Sequence, residues 1–210
     1  SDALLNKCFL EDIAIVLEKG KSKIVHHSFE VGAITAFIEL IPAQFHLAIY
    51  GDNYDIYPML DMAKVLDWEV SLVGNIQKIE KEKLLGIRQL FQKELPERPS
   101  IDDRTAVVLM AHDFKTDVNN LKILLDSPAG YIGLLGPKKR YDKILAEFKE
   151  EGIALTPFDL QRIHAPAGLE IGANSPEEIA ASIFTEILSV FSGTTGGKLR
   201  TKKGPIHERE

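Results

Sequence analysis

Apolar positions recur at helical spacing over residues 3–18, where Leu5, Cys8, Phe9, Ile13, Val16 and Leu17 fall close to one stripe and Gly20 follows as a stop. Lys23 to Phe29 and Ala33 to Ile41 are two β-prone runs parted by Gly32, which predicts a short hairpin ended by Pro42. From residue 46 the texture changes. His46 to Tyr50 is a short apolar strand ending at Gly51, and Met59, Met62, Ala63 and Leu66 then share one helical face. Glu69 to Val73 reads as a second strand. Residues 77–94 are rich in Lys and Glu and predict a helix, and Pro96 and Pro99 mark a loop. Thr105 to Met110 is continuously apolar, as parallel strands buried on both faces are. Asp117 to Leu125 reads as a helix and Tyr131 to Leu135 as a fourth strand. Over residues 138–151, Tyr141, Ile144, Leu145 and Phe148 give an amphipathic helix. Ser175, Pro176 and Glu178 form a capping box with proline in the first turn, opening a last helix to Phe191.

Strands alternating with helices predict βαβ units and an α/β fold with a doubly wound parallel sheet, preceded by a small helix-plus-hairpin segment. The expected division is 1–43 for that segment, 44–192 for the α/β domain and 193–210 for a basic, Gly-rich tail.

Composition narrows the class. Of 210 residues 45% are hydrophobic and 27% charged, a globular balance. The one cysteine, Cys8, excludes a disulfide scaffold and a cysteine-based zinc ribbon. No apolar run approaches the ~18 residues of a membrane span, and no secretory signal precedes the first helix, so a cytoplasmic protein without membrane contact is expected. The net charge of −6 argues against a general nucleic-acid binder. The basic stretch Lys198 to Lys203 is small on an acidic protein and reads better as a dock for a neighbouring copy of the chain.

Four stretches carry candidate chemistry. Gly51 to Ile56 follows the first parallel strand, where backbone N–H groups and a helix N-terminus receive phosphate in such folds. Gly51 keeps the first glycine slot of G-x-G-x-x-G, but Asn53 and Ile56 occupy the others, and Asp52 and Asp55 add negative charge. The second strand ends Val73-Gly-Asn-Ile76, with no acid to hold a ribose. A plain strand–helix turn is the competing reading. His112 and Asp113 lie past the third strand, where an imidazole binds a polar ligand or shuttles a proton, or where Asp113 merely caps a helix. Gly136, Pro137, Lys138, Lys139 and Arg140 place three cations at a helix N-terminus, which is unfavourable unless an anion sits nearby. Ile163 to Ala173 is a long loop in which Gly168 and Gly172 permit close backbone approach. His164 there either points into a cleft or satisfies a buried backbone group. Walker, HExxH, CxxC and G-x-S-x-G patterns are absent. His26 and His27 point to opposite faces of a strand, so no protein-made metal site is expected.

Taken together, Thr105-Ala-Val-Val-Leu-Met-Ala-His-Asp113, Tyr131-Ile-Gly-Leu-Leu-Gly-Pro-Lys-Lys-Arg140, Ala165-Pro-Ala-Gly-Leu-Glu-Ile-Gly-Ala173, Ser175-Pro-Glu-Glu-Ile-Ala180 and Gly204-Pro-Ile-His207 resemble the XdhC/CoxI family in order and spacing, across about residues 46–207. Asp55, Pro58 and Trp68 fit a subgroup of it. The resemblance implies a Rossmann-like domain after an N-terminal domain, most of which would be missing from this sequence. It also implies an accessory factor that binds the molybdenum cofactor (molybdopterin) and assists its sulfuration and insertion into an apo molybdenum hydroxylase of the xanthine dehydrogenase kind. The implied partners are that hydroxylase, a sulfurtransferase and a second copy of the chain. Carried over by position, the ligand cleft comprises Gly51, Asn53, His112, Asp113, Gly133, Gly136, Lys138, Lys139, Arg140, His164, Gly168 and Gly172.

Asn53 replaces the family's second glycine, Gly74 its usual Asp, Ile76 its Arg, and Ala167 and Glu170 its Ile and Asp. These departures gather at the nucleotide side and count against NAD(P). The competing functions are an NAD(P)-dependent oxidoreductase with a degenerate dinucleotide site and a scaffold that binds only proteins. In the family a cysteine before Leu-Glu is a candidate to contact the cofactor. Cys8-Phe-Leu-Glu11 carries one residue more, and Cys8 also lies on the apolar stripe of its helix, so a core thiol and a functional one both stay open.

Overall fold

A computed structural model gives the architecture and describes residues 2–30, 32–41, 44–204 and 206. Pro42, Pro205 and His207, which figure in the sequence patterns above, lie outside the described residues. The chain divides into two compact units, residues 1–43 and 44–210.

The first unit is helix α1 (Asp2–Lys19) and an antiparallel hairpin of β1 (Lys23–Phe29) and β2 (Gly32–Ile38). Its second strand ends at Ile38 rather than Ile41. Val16 and Val25 are buried. The two adjacent histidines diverge as period-two geometry requires: His26 bonds Thr35, while His27 meets the Asp12 carboxylate at 2.6 Å. Cys8 is a free, partly exposed thiol on α1.

The second unit begins with β3 (His46–Tyr50), α2 (Ile56–Val65), β4 (Glu69–Gly74) and β5 (Gln89–Gln92). It continues through β6 (Thr105–Leu109), α3 (Phe114–Leu125), β7 (Tyr131–Leu134) and α4 (Lys138–Glu150). It closes with α5 (Pro157–Arg162), β8 (Ile163–His164) and α6 (Pro176–Phe191). The six strands are parallel in the order β5-β4-β3-β6-β7-β8. The chain therefore winds one way from β3 and then the other, and the switch point falls between β3 and β6.

Both faces of the sheet are covered, which is why its strands read as unbroken apolar runs. Leu47 and Ile49 of β3 pack with Met59 and Ala63 of α2 and Ile183 and Ile187 of α6. Ala48 and Tyr50, on the opposite face, pack with Val118 and Leu121 of α3 and Ile144 and Phe148 of α4. The capping box of α6 forms as its sequence implies: Glu178 N–H donates to Ser175 Oγ, and Glu178 Oε2 accepts from Ser175 N–H.

Residues 77–94 depart from expectation. They form two single 3-10 turns, Ile76–Lys78 and Lys81–Leu84, and then the edge strand β5. Charge density there suits a helix, and Leu84, Ile87 and Phe91 even fall at helical spacing, but pairing Leu72 with Leu90 completes the ladder along β4 instead. At the opposite end of the strands, His46 fixes three of them. Its Nε2 bonds Ser71 Oγ at 2.8 Å, its Nδ1 lies 3.3 Å from Thr105 Oγ1, and the Thr105 hydroxyl donates to Asp102.

Candidate functional site

Two loops flank the switch point: residues 51–55 after β3 and residues 110–113 after β6. His112 has φ +56°, a left-handed backbone uncommon for a side chain of its size. It brings Nε2 to 2.5 Å from Asp55 Oδ2. Asp55 stands at the N-cap position of α2 without bonding a first-turn amide, because that oxygen turns to the histidine. Its other oxygen, Oδ1, is buried with no partner.

These loops face two cavities. Tyr54, Asp55, Met110 and His112 line the larger, about 800 Å³ in volume. Tyr50, Gly51, Asp52, Ala111 and Asp113 line the smaller, about 320 Å³. The His112–Asp55 pair joins the two loops.

The larger cavity is closed by the start of α4, the loop after β8 and the first turns of α6. That loop is tied down on both sides. Ala167 N–H donates to Leu134 O, Gly168 N–H to Glu186 Oε2 at 2.8 Å, and Ser182 Oγ to Leu169 O at 2.6 Å. Gly168 has φ +107°, and a Cβ on it would lie 2.4 Å from Ser182 Oγ, so glycine is required twice over. The Ala165–Pro166 bond is cis.

Beneath the loop, the Tyr131 ring stacks on His164, and both meet Glu186. The Tyr131 hydroxyl donates to Glu186 Oε2 at 2.6 Å, and His164 Nδ1 lies 3.3 Å from Oε1. Burial opposes ionisation of Glu186, but the bonds from His164, Tyr131 and Gly168 outweigh it and hold its carboxyl below the usual range. Burial, reinforced by that carboxylate, pushes the Tyr131 hydroxyl well up.

The structure brings some of the sequence candidates together and sends others elsewhere. His112, Gly136, Gly168 and Gly172 line the larger cavity. Gly172 has φ +75° with open space around it. Gly51 and Asp113 face the smaller cavity. A Cβ at Gly51 would lie 2.6 Å from Met110 O, so the glycine permits the close approach of β3 to the end of β6. Asp113 caps α3, accepting from Thr116 N–H and the Thr116 hydroxyl, which hold its carboxyl low. Asn53 accepts the Ile56 N–H with its carbonyl. Gly133 lies inside β7 and makes room for the Tyr131 ring. His164 sits behind the loop, with Nε2 buried and unpartnered.

The three cations divide. Arg140 is engaged by Asp117, with Nη2 at 2.6 Å and Nε at 3.2 Å from Oδ2 of a carboxylate only 2% exposed. Burial raises the Asp117 pKa against the pull of Arg140. Lys138 and Lys139 are exposed and make no ion pair among the described residues. Sequence reasoning does not single out Tyr131 and Glu186; a half-buried carboxylate 55 positions from its tyrosine leaves no local signal.

Comparison with known proteins agrees with this fold. Residues 47–187 match the family model described as the XdhC Rossmann domain. The chain belongs to the XdhC family. Relatives of this XdhC domain include the uncharacterized protein YqeB of Escherichia coli, 35% identical over 42% of this chain and 16% of that protein. They also include a Bacillus subtilis protein named as a probable xanthine dehydrogenase subunit, 25% identical over 72% of this chain and 44% of that protein. The chain thus spans less than half the length of either curated relative. A crystal structure described as a xanthine dehydrogenase from Bacillus halodurans shares the fold, with a TM-score of 0.62 at 22% identity over 92% of this chain and 66% of that one. Among the described residues no helix is long and apolar enough to cross a membrane.

Proposed function

We propose that this XdhC domain is an accessory factor for a xanthine dehydrogenase-type molybdenum hydroxylase, binding the molybdenum cofactor in the larger cavity and assisting its maturation or insertion. The Bacillus subtilis relative, named for xanthine dehydrogenase, supports the client class. The observation that carries the reading is the form of the cavity. About 800 Å³ is within the usual range for one small organic ligand. Ser182 commits its hydroxyl to the Leu169 carbonyl and Asp55 is engaged by His112, so the walls offer contacts for holding a ligand rather than an activated nucleophile.

The residues present fit a phosphorylated pterin. A pterin presents N–H donors along its amino-pyrimidinone edge, and Asp55 supplies a carboxylate oxygen that no protein donor uses. The phosphate needs cations and amides. Gly136 and Pro137 line the cavity, and Lys138 and Lys139, which do not line it, follow them at the exposed start of α4 outside any ion pair among the described residues, where they are proposed to meet a phosphate that extends from the cavity. When bound, the cofactor carries the molybdenum centre of its client. The protein's own part is to shield the ligand beneath the 165–174 loop and orient its donor edge on Asp55.

Calorimetry with molybdopterin and a client-loading assay test the proposal. The domain is expected to bind molybdopterin and to raise the cofactor content of a co-expressed apo-hydroxylase. Replacing Lys138 and Lys139 by alanine is expected to weaken binding about tenfold, some 1.4 kcal/mol. Absence of binding, with client loading unchanged, would overturn it.

A further inference from the structure

We infer that Asp52 is a resident anion that fills the seat of a nucleotide's phosphate-bearing ribose, closing the smaller half of the cleft to dinucleotides. In doubly wound folds a dinucleotide lies across the switch point, with pyrophosphate over the first turn and the adenosine ribose at the end of the second strand. Here that strand is β4, and the smaller cavity lies on its side, bounded by Gly51, Asp52, Gly74, Ala111 and Asp113.

The Asp52 side chain is 9% exposed in that place. Its Oδ2 accepts the Asn75 N–H at 2.9 Å and lies 3.4 Å from Lys93 Nζ, and its Oδ1 lies 3.6 Å from Lys78 Nζ. An amide after β4 and two ammonium groups, one after β4 and one after β5, thus converge on an acid that leaves β3. This is the donor set a phosphorylated ribose would call for, and it is already satisfied. Burial works against the charge of Asp52, but the Asn75 amide and the two lysines prevail and keep its carboxyl below the usual range.

Two further observations point the same way. A Cβ at Gly74 would meet Gly51 O at 2.7 Å and Asp52 Cβ at 3.0 Å. A ribose-binding acid at that strand end is therefore sterically excluded, and the acid present comes from the turn and faces inward. The first amides of α2 are also consumed: Ile56 N–H donates to Asn53 O and Tyr57 N–H to Tyr54 O. Pyrophosphate would also lack the second glycine that lets it approach the turn.

The inference rests on the doubly wound fold and needs no pterin, so its test stands apart from that of the cofactor proposal. The full chain and its Asp52→Ala, Asp52→Asn and Asp52→Ala/Asn53→Gly variants are titrated calorimetrically with ADP, NAD and NADP. The unaltered protein is expected to bind none of them more tightly than about 1 mM. Asp52→Ala frees Lys78 and Lys93 and is expected to gain at least tenfold in affinity for ADP, with the gain fading as salt is raised. Adding Lys78→Ala and Lys93→Ala is expected to abolish the gain. The double variant with Asn53→Gly is expected to extend it to NAD and NADP. Both lysines are half-exposed, so removing Asp52 strands no buried charge; should Asp52→Ala nonetheless fail to fold, Asp52→Asn, of nearly equal shape, supplies the reading. Micromolar NAD binding by the unaltered protein, or a folded Asp52 variant with no gain for ADP, would overturn the inference.

Discussion

The rings of Tyr131 and His164 stack with centroids 4.5 Å apart and planes inclined by 19°, on the neighbouring strands β7 and β8. Both side chains then reach one carboxylate, Glu186 of α6, which also receives the Gly168 N–H of the cavity loop. One acid therefore joins the sheet, the helix over it and the wall of the larger cavity.

Glu186→Ala leaves the buried Tyr131 hydroxyl and the Gly168 amide without their acceptor. A loss of about 2–3 kcal/mol is expected in chemical denaturation, with Tyr131→Phe costing less because no partner is stranded. Amide exchange over residues 165–174 should rise in Glu186→Ala and stay near normal in Tyr131→Phe. Equal loop protection in both would remove the anchoring role of the acid.

Arg140 and its two lysine neighbours should separate in their effects. Arg140→Ala strands the Asp117 carboxylate and is expected to lower stability by about 3 kcal/mol, and Asp117→Asn on that background should recover part of it. Lys138→Ala and Lys139→Ala are exposed changes, expected to stay within about 0.5 kcal/mol. A double-mutant cycle on Arg140 and Asp117 measures the coupling; none would mean that Arg140 is free for a ligand after all.

Gly51→Ala pushes a methyl group against the Met110 carbonyl and is expected to cost about 1–3 kcal/mol by overpacking. Gly172→Ala meets open space and carries only the strain of a left-handed backbone, about 1 kcal/mol. Thermal melts of the two variants give the comparison, and a reversed order would contradict the packing described at the switch point.

His46 gives the fold a pH dependence. Burial pushes its pKa below the ordinary 6.5, against upward pulls from Glu69 and Asp102, and Arg88 adds to the downward shift. The unfolded chain therefore takes up a proton before the folded one as pH falls below 6.5, so stability is full above that value and declines beneath it. Between about pH 7 and pH 5.5 the unaltered protein should lose more melting temperature than His46→Gln. Parallel curves for the two would place the dependence elsewhere.

The strands of the sheet were legible because burial on both faces leaves nothing polar inside His46–Tyr50 or Thr105–Leu109. The caps of α6 were legible because Ser175 and Glu178 act over three residues. What escaped reading lacks local periodicity. β5 carries glutamine at both ends and is a strand only because β4 offers an unpaired edge, and β8 is two residues long. The candidate residues were found by position along strands and loops, but their employment was not. Arg140 answers to an acid 23 positions away, and His112 to one 57 positions away, contacts that only the folded backbone creates.

The loop from Ala165 to Asn174 is bonded to β7 through Ala167 and to α6 through Gly168 and Leu169 before any ligand arrives. Binding beneath it then costs little ordering entropy, because the wall is already in place. Arrival should be a simple encounter without a slow closing step, and residence time should be set by the contacts the ligand makes. In the proposed carrier role, release would then wait on the recipient's competition for the ligand and not on a lid of the chain's own.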